Sequence, residues 1–147
     1  MPVFTLRPFA ELRPDELYEI LQLRSEVFVV EQNCVYQDMD NKDLKAWHLM
    51  GREDGKLVVY TRLLAPGISY EQASIGRVVS SPSVRGRGLG RLLMEESIRQ
   101  LYTLMGQQEI RIGAQLYLKD FYSSLGFIPD GDVYLEDGIE HITMYKP

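Results

Sequence analysis

Between residues 75 and 105 the apolar pattern changes period, and it does so across a loop of unusual composition. Ile75-Gly76-Arg77-Val78-Val79 is a short β-branched run that reads as a buried strand. Leu92, Leu93, Met94, Ile98, Leu101, Leu104 and Met105 then recur at helical spacing. The join is Arg85-Gly86-Arg87-Gly88-Leu89-Gly90, with Arg91 following. A strand, a glycine-rich turn and a helix start together make an anion site from backbone chemistry alone. Glycines let a ligand approach the main chain, the first helical N–H groups have no partner inside the helix, and the helix dipole favours negative charge there. The expected ligand carries phosphate.

The spacing excludes the commoner phosphate loops. No Lys followed by Ser or Thr stands where G-x-x-x-x-G-K-[ST] needs it, and Gly86, Gly88 and Gly90 at alternate positions do not form G-x-G-x-x-G. Arg85, Gly88 and Gly90 do fill the pattern Arg/Gln-x-x-Gly-x-Gly/Ala. A basic turn ahead of a capped helix would account for this loop taken alone. Downstream, Tyr122, Gly126 and Phe127 fill a second pattern, Tyr-x-x-x-Gly-Phe. Between the two lie the rest of the helix and a strand over residues 110–114, whose Ile110, Ile112 and Ala114 share one face. A short helix is expected over residues 117–125, with Gly126 as its left-handed cap and Phe127 as the apolar contact beyond.

Two patterns in this order, with these elements between them, resemble the GNAT superfamily of N-acetyltransferases. Leu23-Arg24-Ser25-Glu26-Val27-Phe28-Val29-Val30-Glu31-Gln32, followed by Cys34, Tyr36, Asp38 and Asp40, narrows the likeness to the ElaA-type branch. Residues 75–79 and Gly138-Ile139-Glu140-His141-Ile142 carry it over nearly the whole chain. The resemblance implies an α/β fold, a mixed and mostly antiparallel sheet with helices on both faces. It implies acetyl-CoA as co-substrate, held by Val78, Val79, Arg85, Gly86, Arg87, Gly88, Leu89, Gly90 and Arg91. Arg85 and Arg87 would add bidentate phosphate contacts. A backbone N–H near Val79 would polarise the thioester carbonyl.

Bulk properties bound the reading without choosing it. The chain has 147 residues and shows no internal repeat or linker, which suits one domain over residues 1–147. A formal charge of −5 argues against a nucleic-acid partner. Locally the sign reverses: Arg77, Arg85, Arg87, Arg91 and Arg99 face only Glu95 and Glu96 in that stretch, a basic island suited to a polyanionic cofactor. Arg99 reads as part of a solvated helix face. Cys34 is the single cysteine, so no intramolecular disulfide forms. No apolar run reaches membrane-span length and the first residues lack a signal-peptide pattern, so a cytoplasmic protein without membrane contact is expected. The acidic loop is no calcium site, since Lys42 stands at the third ligand position; no metal is expected. Edge pairing of terminal strands leaves a homodimer open.

Along the chain, residues 4–7 alternate as a first strand, and Pro14 opens a helix with Asp15 and Glu16 in its first turn. Leu17, Ile20 and Leu21 begin a stripe resumed at Val27 and Phe28, with Arg24 and Glu31 on it. Residues 31–43 read as a loop or broken helix. Strands over residues 46–52 and 56–65 flank Asp54-Gly55, and strands over 130–135 and 139–145 flank Asp137-Gly138, both hairpin signals.

Amine acetylation needs a held thioester, a neutral amine, a polarised carbonyl and an acid for the departing thiolate. The resemblance assigns the acid to Tyr122. A phenol with a pKa of about 10 keeps its proton at rest and can give it to sulfur. Glu31, His48 and His141 are candidate bases, and Glu31 is favoured because it ends the first helix beside the substrate loop. An Arg24–Glu31 ion pair is the competing structural reading. Asp38, Asp40 and Asp43 hint at a cationic amine, although acidic loops are usually just solvated. Cys34 has no neighbouring histidine in sequence to make it a nucleophile. The expected reaction is direct attack, in a ternary complex, by a primary amine of a small molecule or peptide. A catalytically weak acyl-CoA sensor and a nucleotide-binding regulatory domain are the alternatives.

Overall fold

A computed structural model describes residues 1–147. After β1 (Val3–Pro8), helix α1 (Pro14–Arg24) starts at a proline, whose missing N–H is no loss in a first turn, and Glu16 Oε1 accepts the Arg13 N–H at 2.9 Å. The helix continues without interruption into a π-helical segment, Ser25–Glu31. In that wider coil seven residues no longer complete two turns, so Glu31 leaves the buried stripe that Arg24 occupies. The helical part of the chain therefore runs to Glu31, and the loop begins after it.

β2 (Trp47–Glu53) and β3 (Lys56–Leu64) turn through Asp54 and Gly55, both at positive φ, as a type I′ hairpin requires. With β4 (Ser74–Ser80) they form an antiparallel sheet ordered β1-β2-β3-β4. Helix α2 (Leu89–Met105) crosses to β5 (Ile110–Gln115), and α3 (Lys119–Ser123) follows. β6 (Ile128–Pro129), β7 (Tyr134–Glu136) and β8 (Ile139–Lys146) complete a second antiparallel sheet, ordered β5-β8-β6, with β7 also on β8. The strand expected over residues 130–135 shrinks to β7, because Gly131 takes a left-handed φ of 96° and breaks the run. The expected sheet is thus divided into two. They meet at a parallel bridge between Ala73 and Ile110, where the Arg111 N–H donates to the Ala73 carbonyl at 2.9 Å. Beyond that bridge β4 and β5 part, and a cleft opens between them.

Helices cover both faces, as expected. Ile20, Leu23 and Val27 pack on Met50, Tyr60 and Val79 on one side. On the other, α2 sends Leu93 against Leu49 and Val59, and Met94 and Leu101 into the core shared with Ile112 and Met144. One polar pair is sealed there: Ser97 donates to the Leu93 carbonyl at 2.8 Å and its oxygen meets the Thr61 hydroxyl at 2.8 Å. After α3, the Phe127 N–H bonds the Tyr122 carbonyl and the Gly126 N–H bonds that of Ser123, each at 3.1 Å. With Gly126 at φ 95° this is a Schellman cap, which buries Phe127 edge-on to Tyr122 and fixes that tyrosine's position.

Candidate active site

The arginine-glycine loop has the geometry of an anion cradle. Gly86 and Gly88 stand at φ 81° and 73°, and a Cβ on either would meet no atom within 4 Å, so both face open space. The N–H groups of residues 86–91 make no hydrogen bond within the protein; Leu92 is the first helical donor to be taken, by the Gly88 carbonyl at 3.4 Å. Arg85 holds Glu31 in a bidentate pair, both contacts 2.6 Å, and Arg87 holds Glu53 at 2.8 and 2.7 Å. The loop arginines are therefore already engaged by planar carboxylates, the geometry a phosphate would use. Arg91 donates to Ser124 Oγ at 2.9 Å, joining the loop to α3.

Gly90 and Arg85 line the cleft between the sheets, which encloses about 980 Å³. Val78 and Val79 form one wall and Ile112 and Gln115 the other. The free backbone N–H nearest Val79 is one residue further on. Ser81 donates its N–H to the Val58 carbonyl at 2.7 Å, and antiparallel ladders alternate, so Val79 turns its N–H towards Tyr60 on β3. Ser80 between them directs its N–H to the free edge of β4, into the cleft. Counting ladder parity back from Ser81 finds it, but only once the pairing is known.

Tyr122 lines the same cleft at 5 % exposure, held between Phe121 and Phe127. Burial raises its pKa above the ordinary phenol value, with the Tyr117 hydroxyl adding to the effect. It stays protonated at rest.

The three candidate bases separate clearly. His48 is fully buried: its Nε2 sits 3.0 Å from the Asp43 carbonyl and must donate to it, so Nδ1 accepts the Tyr60 hydroxyl at 2.7 Å. It is a satisfied core residue with no face on substrate. Glu31 is exposed, and its hydrogen bonds from Arg85 hold its carboxyl below the usual range, the opposite of what a base needs. His141 is 8 % exposed and lines the cleft.

Two further expectations are corrected. Arg24 does not pair with Glu31; it is completely buried and donates to Asp38 at 2.8 Å and to Asp43 at 2.7 Å. Asp38, Asp40 and Asp43 are not free to receive a cation. Arg62 binds Asp40 through both nitrogens at 2.7 Å, and Arg77, at φ 51° in a bulge of β4, reaches Asp38 at 2.8 Å. Burial alone would raise the Asp40 carboxyl, but its Arg62 and Arg77 contacts outweigh that and hold it well below the carboxylate range. This acidic cluster fastens the loop over residues 32–43 to the sheet. Cys34 is buried, its Sγ 3.2 Å from the Asp137 carbonyl, and Gln32 pairs with Gln115 at 3.3 Å, so the same loop reaches across to the second sheet.

Comparison with known proteins agrees with this geometry. Residues 11–147 match the acetyltransferase (GNAT) domain profile. Protein ElaA of Escherichia coli strain K12 is 44% identical over 139 residues, 93% of this chain and 91% of that protein. An acyl-CoA N-acyltransferase from Pseudomonas aeruginosa superimposes at a TM-score of 0.95 with 44% identity, and the crystal structure of Escherichia coli ElaA at 0.93 with 40%, each over 100% of both chains.

Proposed function

The chain belongs to the GNAT acetyltransferase family, and from that premise we propose that it transfers an acetyl group from acetyl-CoA to a primary amine of a small molecule or peptide. Attack is direct, with both substrates bound in the cleft. The observation that carries this reading is the row of unbonded N–H groups over residues 86–91 beside a cleft that Tyr122 also lines. Acetyl-CoA supplies an activated acyl carbon and a thiolate leaving group. The N–H groups of Gly86, Arg87, Gly88, Leu89, Gly90 and Arg91 receive its phosphates, with Arg85 and Arg87 exchanging a carboxylate for a phosphate. Val78 and Val79 wall the pantetheine channel. The Ser80 N–H donates to the thioester oxygen as charge gathers there. Tyr122 gives its proton to the departing sulfur.

Isothermal titration calorimetry with acetyl-CoA, set beside ATP and NAD, tests the reading. Selective saturable binding is expected, weakened by Arg85→Glu and Arg87→Glu. Tyr122→Phe keeps that affinity and lowers amine-dependent CoA release by about ten- to a thousandfold. Acetyl-CoA binding no tighter than ATP binding would remove the cofactor assignment. Undiminished turnover in Tyr122→Phe, with chemistry rate-limiting, would remove the acid. Tight binding without CoA release for any amine would leave an acyl-CoA sensor.

A further inference from the structure

On the side of the cleft formed by the second sheet, β5, β7 and β8 assemble a set of polar groups with no part in the chemistry above. His141 stands on β8, opposite Gln115 of β5 and Tyr134 of β7, and the Tyr134 ring stacks on its imidazole with centroids 5.7 Å apart. Its Nδ1 lies 2.8 Å from the Ile139 carbonyl, which can only accept. In the neutral ring the hydrogen is therefore on Nδ1, and Nε2 carries the lone pair. Nε2 in turn faces the Glu136 carboxylate at 3.5 Å. Nearby, Gly113 leaves room for two phenols, since a Cβ there would meet the Tyr134 hydroxyl at 2.7 Å and the Tyr70 hydroxyl at 3.2 Å. His141, Glu136, Gly113 and Tyr70 all line the cleft.

While the ring is neutral, Nε2 and the Glu136 carboxylate are two acceptors 3.5 Å apart with no hydrogen between them, an incomplete pair. A group that donates to both completes it, and a primary ammonium has three N–H donors to do so. We propose that this is the acceptor site, that its ligand is a small primary alkylammonium ion, and that His141 is the general base. The assignment rests on the acetyltransferase reading above. Nε2 takes one proton from the ammonium, and the imidazolium so formed is paired with Glu136. The neutral nitrogen attacks the acyl carbon, the C–N bond forms and the C–S bond breaks. Sulfur takes a proton from Tyr122, and the second proton lost by the attacking nitrogen restores the phenol through solvent. His141 releases its proton to water.

The test uses two nucleophiles that differ in their need for a base. n-Butylamine is protonated at neutral pH, whereas hydroxylamine is largely unprotonated. His141→Gln is expected to lower n-butylamine-dependent CoA release by about a hundredfold or more, to change hydroxylamine-dependent release by less than about threefold, and to leave acetyl-CoA binding intact. Glu136→Gln is expected to raise the KM for n-butylamine more than it lowers kcat. An equal fall with both nucleophiles would mean that His141 is only structural, and no fall with either would overturn the proposal outright. Wild-type protein that binds acetyl-CoA but releases no CoA with either nucleophile overturns this acceptor site, whereas the absence of CoA release with every amine tried overturns the enzymatic reading as well. Long-range ¹⁵N–¹H spectra of the histidines give a readout independent of turnover. They should report an Nδ1–H tautomer for neutral His141, and an Nε2–H tautomer contradicts the assignment.

Discussion

Glu31 shows how far a single residue can be read from sequence. It does end the first helical stretch, as its sequence context implies, but its face depends on an α-helical period that the π segment Ser25–Glu31 does not keep. No residue in that segment announces the wider turn, which is why an Arg24–Glu31 pair was expected where Arg85 is the partner. The consequence is testable. With its carboxylate on Arg85, the arginine proposed to take a phosphate, Glu31 would compete with the cofactor, so Glu31→Gln should tighten acetyl-CoA binding by about two- to fivefold at low salt, the scale of an exposed ion pair. That gain should fade as salt rises. If Glu31 were the base, the same substitution would leave affinity alone and reduce kcat by about a hundredfold or more. Titrating both proteins with acetyl-CoA at two salt concentrations, then comparing kcat, separates the two roles.

At the scale of elements, the strand, loop and helix were legible because each demand falls on local backbone chemistry. Gly86 and Gly88 occupy left-handed conformations that only the glycine spacing could announce, and Gly126 caps α3 for the same reason. Gly90 differs: its φ is ordinary, and a Cβ there would touch only Phe121 Cζ at an unstrained 3.9 Å. The two positions should therefore respond oppositely. Gly88→Ala places a methyl group in the open space of the cradle and costs about 1–2 kcal/mol of backbone strain, so acetyl-CoA affinity should fall about tenfold or more with a modest drop in Tm. Gly90→Ala removes a poor helix former from the first turn of α2, so affinity and Tm should be held or slightly raised. Undiminished acetyl-CoA affinity in Gly88→Ala would mean that the cradle is not the cofactor's contact surface.

Across the whole molecule, what sequence could not supply is pairing between distant residues. Nothing local says that Arg24, Asp38, Asp43, Arg62 and Arg77 will meet, or that one bridge at Ala73 and Ile110 will join two sheets and leave the cleft beyond it. The same long-range assembly fixes His48 as neutral, and this sets how the fold responds to acid. Burial lowers the His48 pKa from its ordinary value, the Asp43 carbonyl opposing the shift in part. The unfolded chain then binds more protons than the folded one below about pH 6.5, so stability is full above that pH and declines as pH falls towards the folded pKa. Asp40 and Asp43 act lower down: Arg62 and Arg24 depress their carboxyls against the effect of burial, so their contribution is complete above about pH 4 and is lost only as pH falls through the depressed values. Acid should weaken the fold in two stages. Thermal unfolding followed from pH 8 to pH 3 should show a first decline in Tm below about pH 6.5 that is reduced in His48→Gln, and a second below about pH 4 that both proteins share. A His48 resonance titrating at or above the ordinary value in the folded protein would contradict the assignment, because a group with no lowered pKa cannot make the unfolded chain the better proton acceptor.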